Sequence, residues 1–298
     1  MNLQSNVPVA AATMLVLSGL LGFGHQAAVR PMDTSSIGTA QGIGDNLAQS
    51  DAAAKLDYDD YEFRTIPNNA FTVGEKLDYT IYYGPIAAGS ATISVPSYQY
   101  YGSRKCYKIE FSMRSASFFD IFFKVRDYYS SLVDVQGLFP WKFEQHVREG
   151  GYKRDFVAEF NQVAHTAMTS DGGPYQIKRY TQDAVSAFFY ARTLDYDTLK
   201  VGDEVHFSNF YNDKDYPLNV KYLGEQNVTT KAGKFHCQVI EPVIVKGGLF
   251  RNTGKITVWV SDDSLRVPVK VSTQVIIGSV DADLVHYSGL AGPLTSVY

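Results

Sequence analysis

The chain has 298 residues, of which 45% are apolar, 19% are charged and 14% are aromatic. This is enough apolar material for one large folded unit or two smaller ones. The formal net charge of −4 lacks the basic footprint of a nucleic-acid-binding protein, so that class is excluded. The 21 Tyr and 18 Phe favour β-sheet, because aromatic side chains suit a pleated, half-buried surface.

The first 30 residues have a composition unlike the rest. Val7 to Gly24 carry no charge, and Arg30 is the only Lys or Arg before Lys55. Such a run is typical of the apolar core of a secretory signal, and it is barely long enough for an uncleaved membrane anchor. We therefore predict that residues 1–30 are a signal peptide or an N-terminal membrane anchor, and that the protein resides in the periplasm or cell envelope. Residues 31–65 are rich in small and polar side chains and are predicted to form a flexible tether.

An internal repeat has a constant offset of 128 residues. It places Gly74 on Gly202, and it also places Pro140 on Pro268. A single register held over about eighty residues indicates two copies of one β-rich unit. We assign the first unit to 66–164 and the second unit, with a C-terminal tail, to 199–298.

Alternating apolar residues predict the strands of both units, as at Leu77, Tyr79 and Ile81. Between the units, the connector 165–198 contains one predicted short helix, capped by Thr181-Gln182-Asp183 and continued at helical spacing. The predicted fold class is all-β: a large curled antiparallel sheet, barrel-like or spiral, built from two tandem units with one short helix between them.

Arg192 lies near the end of this helix, nine residues after Asp183 and six after Ser186, too far for a close pair with either. It is therefore predicted to reach a carboxylate on a neighbouring strand and to hold the helix to the sheet in a partly buried ion pair.

Catalytic motifs are missing from the sequence. The six histidines are isolated from one another, and no metal site, cofactor or catalytic residue is predicted. Cys106 falls on the polar face of its strand and Cys237 on the apolar face, which favours two unpaired cysteines over a disulfide. Paired acids from distant strands stay open as a hydrolase site; the candidates are Glu75, Asp127, Glu144, Glu149 and Asp203. Glu75 and Asp203 are repeat-equivalent, which favours structural roles for these acids.

The segment 115–124 holds five large apolar residues within six positions, including Phe118, Phe119, Phe122 and Phe123. A connection of this composition is either folded over the open end of the sheet or in contact with something apolar. The first interpretation is core packing. The second is a lip or gate to a cavity for an acyl chain or another apolar ligand, because curved antiparallel sheets enclose such cavities.

The chain also resembles a known family. The matching stretches include Val73-Gly74-Glu75-Lys76-Leu77, Val125-Arg126-Asp127-Tyr128-Tyr129, Glu149-Gly150-Gly151-Tyr152, Asp183-Ala184-Val185-Ser186-Ala187 with Arg192, Trp259-Val260-Ser261-Asp262-Asp263, Val267-Pro268-Val269 and Ile277-Gly278-Ser279-Val280. They resemble the bacterial exported-protein family catalogued as domain of unknown function 3108, in the form common among Bacteroidetes. Ala184-Val185 departs from the Pro-Leu of many relatives. The resemblance implies an exported all-β envelope protein and no established reaction.

Structural roles are assigned to Gly74, Glu75, Asp127, Asp183, Ser186, Arg192, Gly202, Asp262 and Pro268. The favoured function is a non-catalytic envelope protein that binds a lipid, lipoprotein or glycolipid in a β-lined cavity, with N-terminal membrane association left open. The alternatives are a carboxylate-dependent hydrolase of envelope polysaccharide and a structural scaffold that docks a partner at a sheet edge.

Overall fold

A computed structural model describes Tyr58 and residues 61–211, 213–243, 254–275 and 278–298. The predicted signal or anchor segment and most of the predicted tether lie outside the described residues. Within the described ranges, no helix is both long enough and apolar enough to cross a bilayer.

The described residues form fourteen strands and three short helical segments. The strands are β1 (Lys76–Tyr83), β2 (Ile86–Tyr101), β3 (Arg104–Ser115), β4 (Arg126–Asp134), β5 (Pro140–Glu149), β6 (Tyr152–Asn161), β7 (Thr166–Thr169), β8 (Gly172–Gln176), β9 (Glu204–Tyr211), β10 (Lys214–Thr230), β11 (Gly233–Val243), β12 (Ile256–Ser261), β13 (Pro268–Gln274) and β14 (Ser279–Ser288). The helices are α1 (Ser117–Asp120), α2 (Ala184–Ala191) and a 3₁₀ turn (Tyr196–Thr198).

All fourteen strands form one antiparallel sheet in the order β8-β7-β6-β5-β4-β3-β2-β1-β14-β13-β12-β11-β10-β9. Two meanders, β1 to β8 and β9 to β14, therefore lie side by side and are joined where β1 pairs with β14. The sheet is not closed, since β8 and β9 are its two edges. This confirms the predicted all-β class with one curled antiparallel sheet.

The two edges approach each other through the connector that precedes α2. The Gln182 N–H donates to the Ser208 carbonyl at 2.8 Å, and the Phe210 N–H donates to the Gln182 carbonyl at 2.8 Å. Across the same seam, the rings of Phe160 and Phe210 lie 5.7 Å apart. The connector thus covers part of the open edge of β9 and leaves less backbone free to pair with another chain.

The repeat is visible element by element, because β1 to β6 and β9 to β14 follow one another at nearly the 128-residue offset. Gly74 and Gly202 precede the first strand of each copy with φ of +100° and +101°. Leu138 and Arg266 are also repeat-equivalent, and both have positive φ, 49° and 44°. Such matched unusual conformations are the backbone signature of one duplicated unit, as predicted.

The core lies on the concave side of the curled sheet, around α2. Strand β1 buries Leu77, Tyr79 and Ile81 on one face, as its alternating sequence predicts. Helix α2 is more apolar than a surface helix, and six of its eight residues are buried. A helix buried on most of its circumference belongs inside a core, so α2 fills much of the space that the sheet encloses.

A second, smaller cluster lies apart from the main core and contains Tyr58, Cys106, Phe139 and Trp141. Phe63 packs on Trp141 with ring centroids 5.5 Å apart. Tyr58 and Phe63 belong to the segment predicted as a tether, so its last residues are part of the fold. The placement of Cys106 on a polar face was wrong: its exposure is 0%, because these aromatic side chains cover that face of β3. Both cysteines are free and buried, in accord with the favoured prediction.

The duplicated glycines provide a test of the repeat. A Cβ at Gly74 or Gly202 would meet no atom within 4 Å, so only the positive φ opposes a side chain. We expect Gly74→Ala and Gly202→Ala each to lower the free energy of unfolding by about 1–2 kcal/mol, and the losses to add in the double variant. Gly151→Ala, where a Cβ also meets open space, is the control, with a change below about 0.5 kcal/mol. Urea unfolding measures all four, and clearly unequal losses at the two sites would argue against equivalent turns.

Candidate functional site

The four predicted ligand-binding phenylalanines lie in and beside α1, where they divide into two pairs. Phe119 and Phe123 are partly buried and pack on the main core. Phe118 and Phe122 are 68% and 59% exposed, with ring centroids 5.9 Å apart. The connection thus does two things: one pair of side chains attaches it to the core, and the other pair projects from the protein together with Ile121, which is 79% exposed.

An ion pair holds α1 to the start of β4. The Arg126 guanidinium donates to both carboxylate oxygens of Asp120, at 3.1 and 2.6 Å. Ser115 hydrogen-bonds the same carboxylate through its hydroxyl. The Arg126 and Ser115 hydrogen bonds hold the pKa of Asp120 below its ordinary value. The exposed apolar side chains therefore lie on a turn that this ion pair and the Ser115 hydrogen bond stabilise.

Beside this turn, the outer face of β2 to β5 forms a polar groove of about 440 Å³. Its lining contains the polar residues Ser90, Thr92, Ser112, Arg114, Arg126, Asp127, Tyr128 and His146, together with Ala91 and Met113. Arg114 donates to the Ser90 hydroxyl at 3.2 Å. Hydroxyl groups and guanidinium groups are donors suited to an anionic oxygen.

An apolar crevice of about 70 Å³ opens on the other side of the molecule, between α2 and the second β unit. Helix α2 contributes Ala184, Ala187 and Ala191, which share a face because they are three and four residues apart. Strands β9 to β13 form the opposite wall, with Phe207, Leu218, Val220, Ile240, Pro242, Val258, Val260 and Pro268. None of the four predicted phenylalanines lines this crevice.

Arg192 closes the inner end of the crevice and is almost fully buried. Its two terminal nitrogens lie 2.6 and 3.0 Å from the two carboxylate oxygens of Glu75, a two-point pair. The guanidinium also donates to the carbonyl oxygens of Ala70 and Leu265, at 2.9 and 3.1 Å. The ion pair expected for Arg192 is therefore present and joins α2 to both β units, but it is fully rather than partly buried, and its acid lies in the turn before β1 rather than on a strand.

The helix begins with a capping box at Asp183, the last residue of the cap that the sequence predicted. One Asp183 carboxylate oxygen accepts the N–H groups of Val185 and Ser186, each at 2.8 Å, and the Ser186 hydroxyl accepts the Asp183 N–H at 2.9 Å. The other oxygen accepts from Ser131 at 2.6 Å. Burial raises the pKa of Asp183 to about 6, although these hydrogen bonds favour the charged form.

Of the other candidate acids, Asp127 and Glu149 lie together, nearly fully buried. Burial raises the pKa of Asp127, whose carboxylate accepts the Arg148 N–H at 2.9 Å and interacts with Glu149. Glu144 instead pairs with Lys142 at 2.8 Å on the outer face. Asp203 accepts the Lys200 N–H at 2.9 Å in the turn before β9. The structure brings two of the five acids together.

The remaining residues that were given structural roles lie at turns and strand ends of the second unit. Asp262 accepts from Gln238 at 2.6 Å and from Arg266 at 3.1 Å. Pro268 begins β13, and its carbonyl oxygen accepts the buried Tyr79 hydroxyl at 2.8 Å. Across the described ranges, no three His, Cys, Asp or Glu side chains are grouped to hold a metal ion.

Sequence reasoning missed the polar group at Asp134. Its carboxylate accepts two hydrogen bonds from Arg104, one from the Trp141 ring N–H at 3.1 Å and one from the Gly137 N–H at 2.8 Å. The signal available was Asp134 itself, since Asp before Gln136-Gly137 is typical of a turn that hydrogen-bonds its own backbone. The partners from β3 and β5 are fixed only by the sheet.

The fold and these sites define an all-β protein in which one curled antiparallel sheet encloses a buried capped helix. Residues 78–285, more than half of the chain, match the model of the family described as Protein of unknown function (DUF3108), and the chain belongs to that family. The resemblance stated from the sequence is thereby confirmed. No protein of curated function matches the chain in sequence.

Three solved structures are similar to this chain at low sequence identity. A beta-barrel-like protein of domain of unknown function DUF1849 from Brucella abortus is 10% identical, with a TM-score of 0.45, over 76% of this chain and 98% of that one. A candidate lipoprotein from Parabacteroides distasonis is 11% identical, with a TM-score of 0.31, over 76% of this chain and 100% of that one. A candidate exported protein with a YmcC-like fold from Bacteroides fragilis is 13% identical, with a TM-score of 0.29, over 76% of this chain and 100% of that one.

The ion pair between Arg192 and Glu75 is expected to be critical for stability. Arg192→Ala leaves the Glu75 carboxylate buried without its counter-charge, so the free energy of unfolding should fall by roughly 3–5 kcal/mol. The double variant Arg192→Leu/Glu75→Leu should lose less than Arg192→Ala, because no charge stays buried. Lys76→Ala removes an exposed ion pair with Asp78 and is the control. It should lower the free energy of unfolding by less than about 1 kcal/mol. Equal losses of stability for Arg192→Ala and Lys76→Ala in denaturant unfolding would contradict this prediction.

Asp183 should make stability depend on pH. A carboxyl group whose folded pKa is raised stabilises the fold in its protonated form, so its contribution is complete below about pH 4 and is lost as pH rises through about 6. We expect a loss of about 3 kcal/mol from this group over that window. Asp183→Asn should make the free energy of unfolding depend less steeply on pH. It should still cap the helix, because Asn is an equally good N-cap residue. The measurement is urea unfolding across the pH range.

Asp127 acts in the same direction, because burial raises its pKa too. Its contribution is present in both the parent protein and the Asp183→Asn variant, so it cancels in the comparison. Identical pH slopes in the two proteins would show that Asp183 does not titrate as described.

Proposed function

We propose that this protein is an exported cell-envelope protein that binds the apolar part of an amphipathic molecule, a lipid, lipoprotein or glycolipid, at the crevice between α2 and the second β unit. The observation that carries the proposal is the lining of this crevice, which is apolar except for Arg192, and the charge of Arg192 is matched by Glu75. The uncharged N-terminal run supports the envelope location.

The size of the crevice limits what it holds. An engineered apolar cavity of about 150 Å³ accepts benzene, so a crevice of about 70 Å³ suits one end of an acyl chain or a comparable apolar group. The rest of the ligand would lie outside. An amphipathic molecule meets this condition, because its polar part stays in water while its apolar end is buried.

The hydrolase alternative has less support from the geometry. A glycosidase needs two carboxyl groups separated by about 5–9.5 Å around the scissile bond. Asp127 and Glu149 instead interact with each other and are nearly fully buried. The scaffold alternative needs a free edge, whereas the residues before α2 already pair with part of β9.

Two opposite changes in crevice volume test the proposal. Ala187→Leu fills the crevice from α2, and Phe188→Ala, which shortens another side chain of its lining, enlarges it. The protein is purified from the envelope of a bacterial host, and bound lipid is measured by native mass spectrometry and by binding of a fluorescent long-chain fatty acid. We expect Ala187→Leu to weaken fatty-acid binding by about tenfold or more while keeping the melting temperature, since a filled void costs little stability. Phe188→Ala should bind at least as well as the parent.

Ala164→Leu is the matched control, because Ala164 is exposed and does not line the crevice. It adds the same side chain and should leave binding unchanged. Parent protein that carries no lipid and binds no fatty acid would refute the proposal. Equal binding by the parent and Ala187→Leu would place the ligand elsewhere.

A further inference from the structure

The exposed side chains of α1 and its continuation form a protruding apolar patch, which we call the tip: Phe118, Ile121 and Phe122. Their exposures are 68%, 79% and 59%, although Phe and Ile are among the residues that proteins usually bury. Exposed apolar residues are unremarkable when scattered singly. Here three large side chains project from five consecutive positions on a turn that Asp120 and Arg126 brace.

Neighbouring turns extend the apolar surface along the same end of the sheet. The Ala116 N–H donates to the Ala88 carbonyl at 2.8 Å, which places the β1–β2 turn and its 52% exposed Ile86 beside the tip. The Gly150 N–H donates to the Lys124 carbonyl at 2.8 Å, which places the β5–β6 turn on the other flank. Tyr152 in that turn is 40% exposed.

The charge around the tip is opposite to that of the whole protein. The net charge of the chain is −4, yet residues 114–126 contain three cations, Arg114, Lys124 and Arg126, and one acid, Asp120. That acid is already paired with Arg126. Arg114 and Lys124 are exposed, and neither forms an ion pair with any carboxylate of the described residues. The tip is thus bordered by uncompensated positive charge.

The polar groove begins next to this charge. Arg114 and Arg126 are directly opposed in the β3–β4 pairing, and both line the groove with the hydroxyls of Ser90, Thr92 and Ser112. A guanidinium group with nearby hydroxyls matches the donors that a phosphate ester requires. The apolar tip and the phosphate-suited groove are therefore adjacent on one surface.

We propose that this end of the sheet docks on an anionic phospholipid surface, with the tip inserted among the acyl chains and the head-group phosphate in the groove. A protruding apolar turn needs no shaped receptor when the receiving phase is fluid hydrocarbon, whereas a folded partner would have to supply a matching pocket. Anionic head groups attract the two uncompensated cations. This goes beyond ligand binding in the α2 crevice and does not depend on it.

The test is a tryptophan placed at the tip of the full chain, Phe122→Trp. Because Trp141 is buried and Trp259 is partly buried, the new indole is the exposed reporter. Vesicles are made of phosphatidylcholine with brominated acyl chains, with or without phosphatidylglycerol. We expect a blue shift and bromine quenching with the phosphatidylglycerol vesicles, and much less with phosphatidylcholine alone. The signal reports the depth of the tip itself, whatever the N-terminal segment does.

Two controls use the opposite end of the sheet. Tyr100 is 69% exposed and lies at the far end of β2, on the order of 35 Å from the start of α1. Tyr100→Trp should show no quenching. In the Phe122→Trp background, Arg114→Gln/Lys124→Gln should raise the lipid concentration for half-maximal quenching by at least about tenfold. Lys105→Gln/Lys234→Gln removes two cations remote from the tip and should leave it unchanged.

Three outcomes would overturn the proposal: no quenching of Phe122→Trp by anionic vesicles, equal quenching at Tyr100→Trp, or equal lipid dependence in the two glutamine pairs. A blue shift without lipid, together with dimers in sedimentation, would instead identify a contact between two copies of this chain and would also overturn it. Adding Ala187→Leu should not alter quenching, which separates this result from the fate of the crevice proposal.

Discussion

The buried pair of Arg192 and Glu75 is the interaction on which the arrangement of this protein depends. Glu75 belongs to the turn before β1, Arg192 ends α2, and the guanidinium also binds the Leu265 carbonyl of the second β unit. One side chain therefore ties together the first unit, the helix and the second unit. Because both charges are almost completely removed from water, the pair is specific in its geometry and costly to break from one side.

The same pair explains why a duplicated sequence gives an unsymmetrical molecule. Asp203 is the repeat equivalent of Glu75, and the turns around the two acids are alike, with Gly74 and Gly202 at nearly equal φ. Only one helix occupies the interior, however, so only one of the two acids can meet its arginine. Asp203 accepts a backbone N–H instead. Duplication therefore gives two similar β units, and the single helix makes them different. The crevice lies between that helix and the second unit.

Much of this architecture could be predicted from local sequence. Strand alternation, the Asp183 cap and the repeated Val-Gly-acid turns are short-range signals, and each one has its expected place. What failed depends on distant contacts. Cys106 looked solvent-facing because its strand was read alone, but Tyr58, from a segment that looked like a tether, joins the cluster that covers it. The sequence could not show which side chains of 118–123 pack on the core and which form the tip, because that depends on how the four-residue helix α1 is oriented on the sheet.

The position of α2 also determines where ligands can be bound. Curled antiparallel sheets enclose cavities when their interior is left open, but this interior contains a helix with six buried residues. Among the described residues, grouped apolar surface lies along the alanine face of α2, where small side chains leave a gap against β9 to β13, and at the tip, where the chain leaves the sheet. The gap is too small for a whole lipid, and the tip is too convex to enclose one. The two proposals are compatible, since a molecule that took up the end of an acyl chain in the crevice would benefit from resting on the membrane that supplies it.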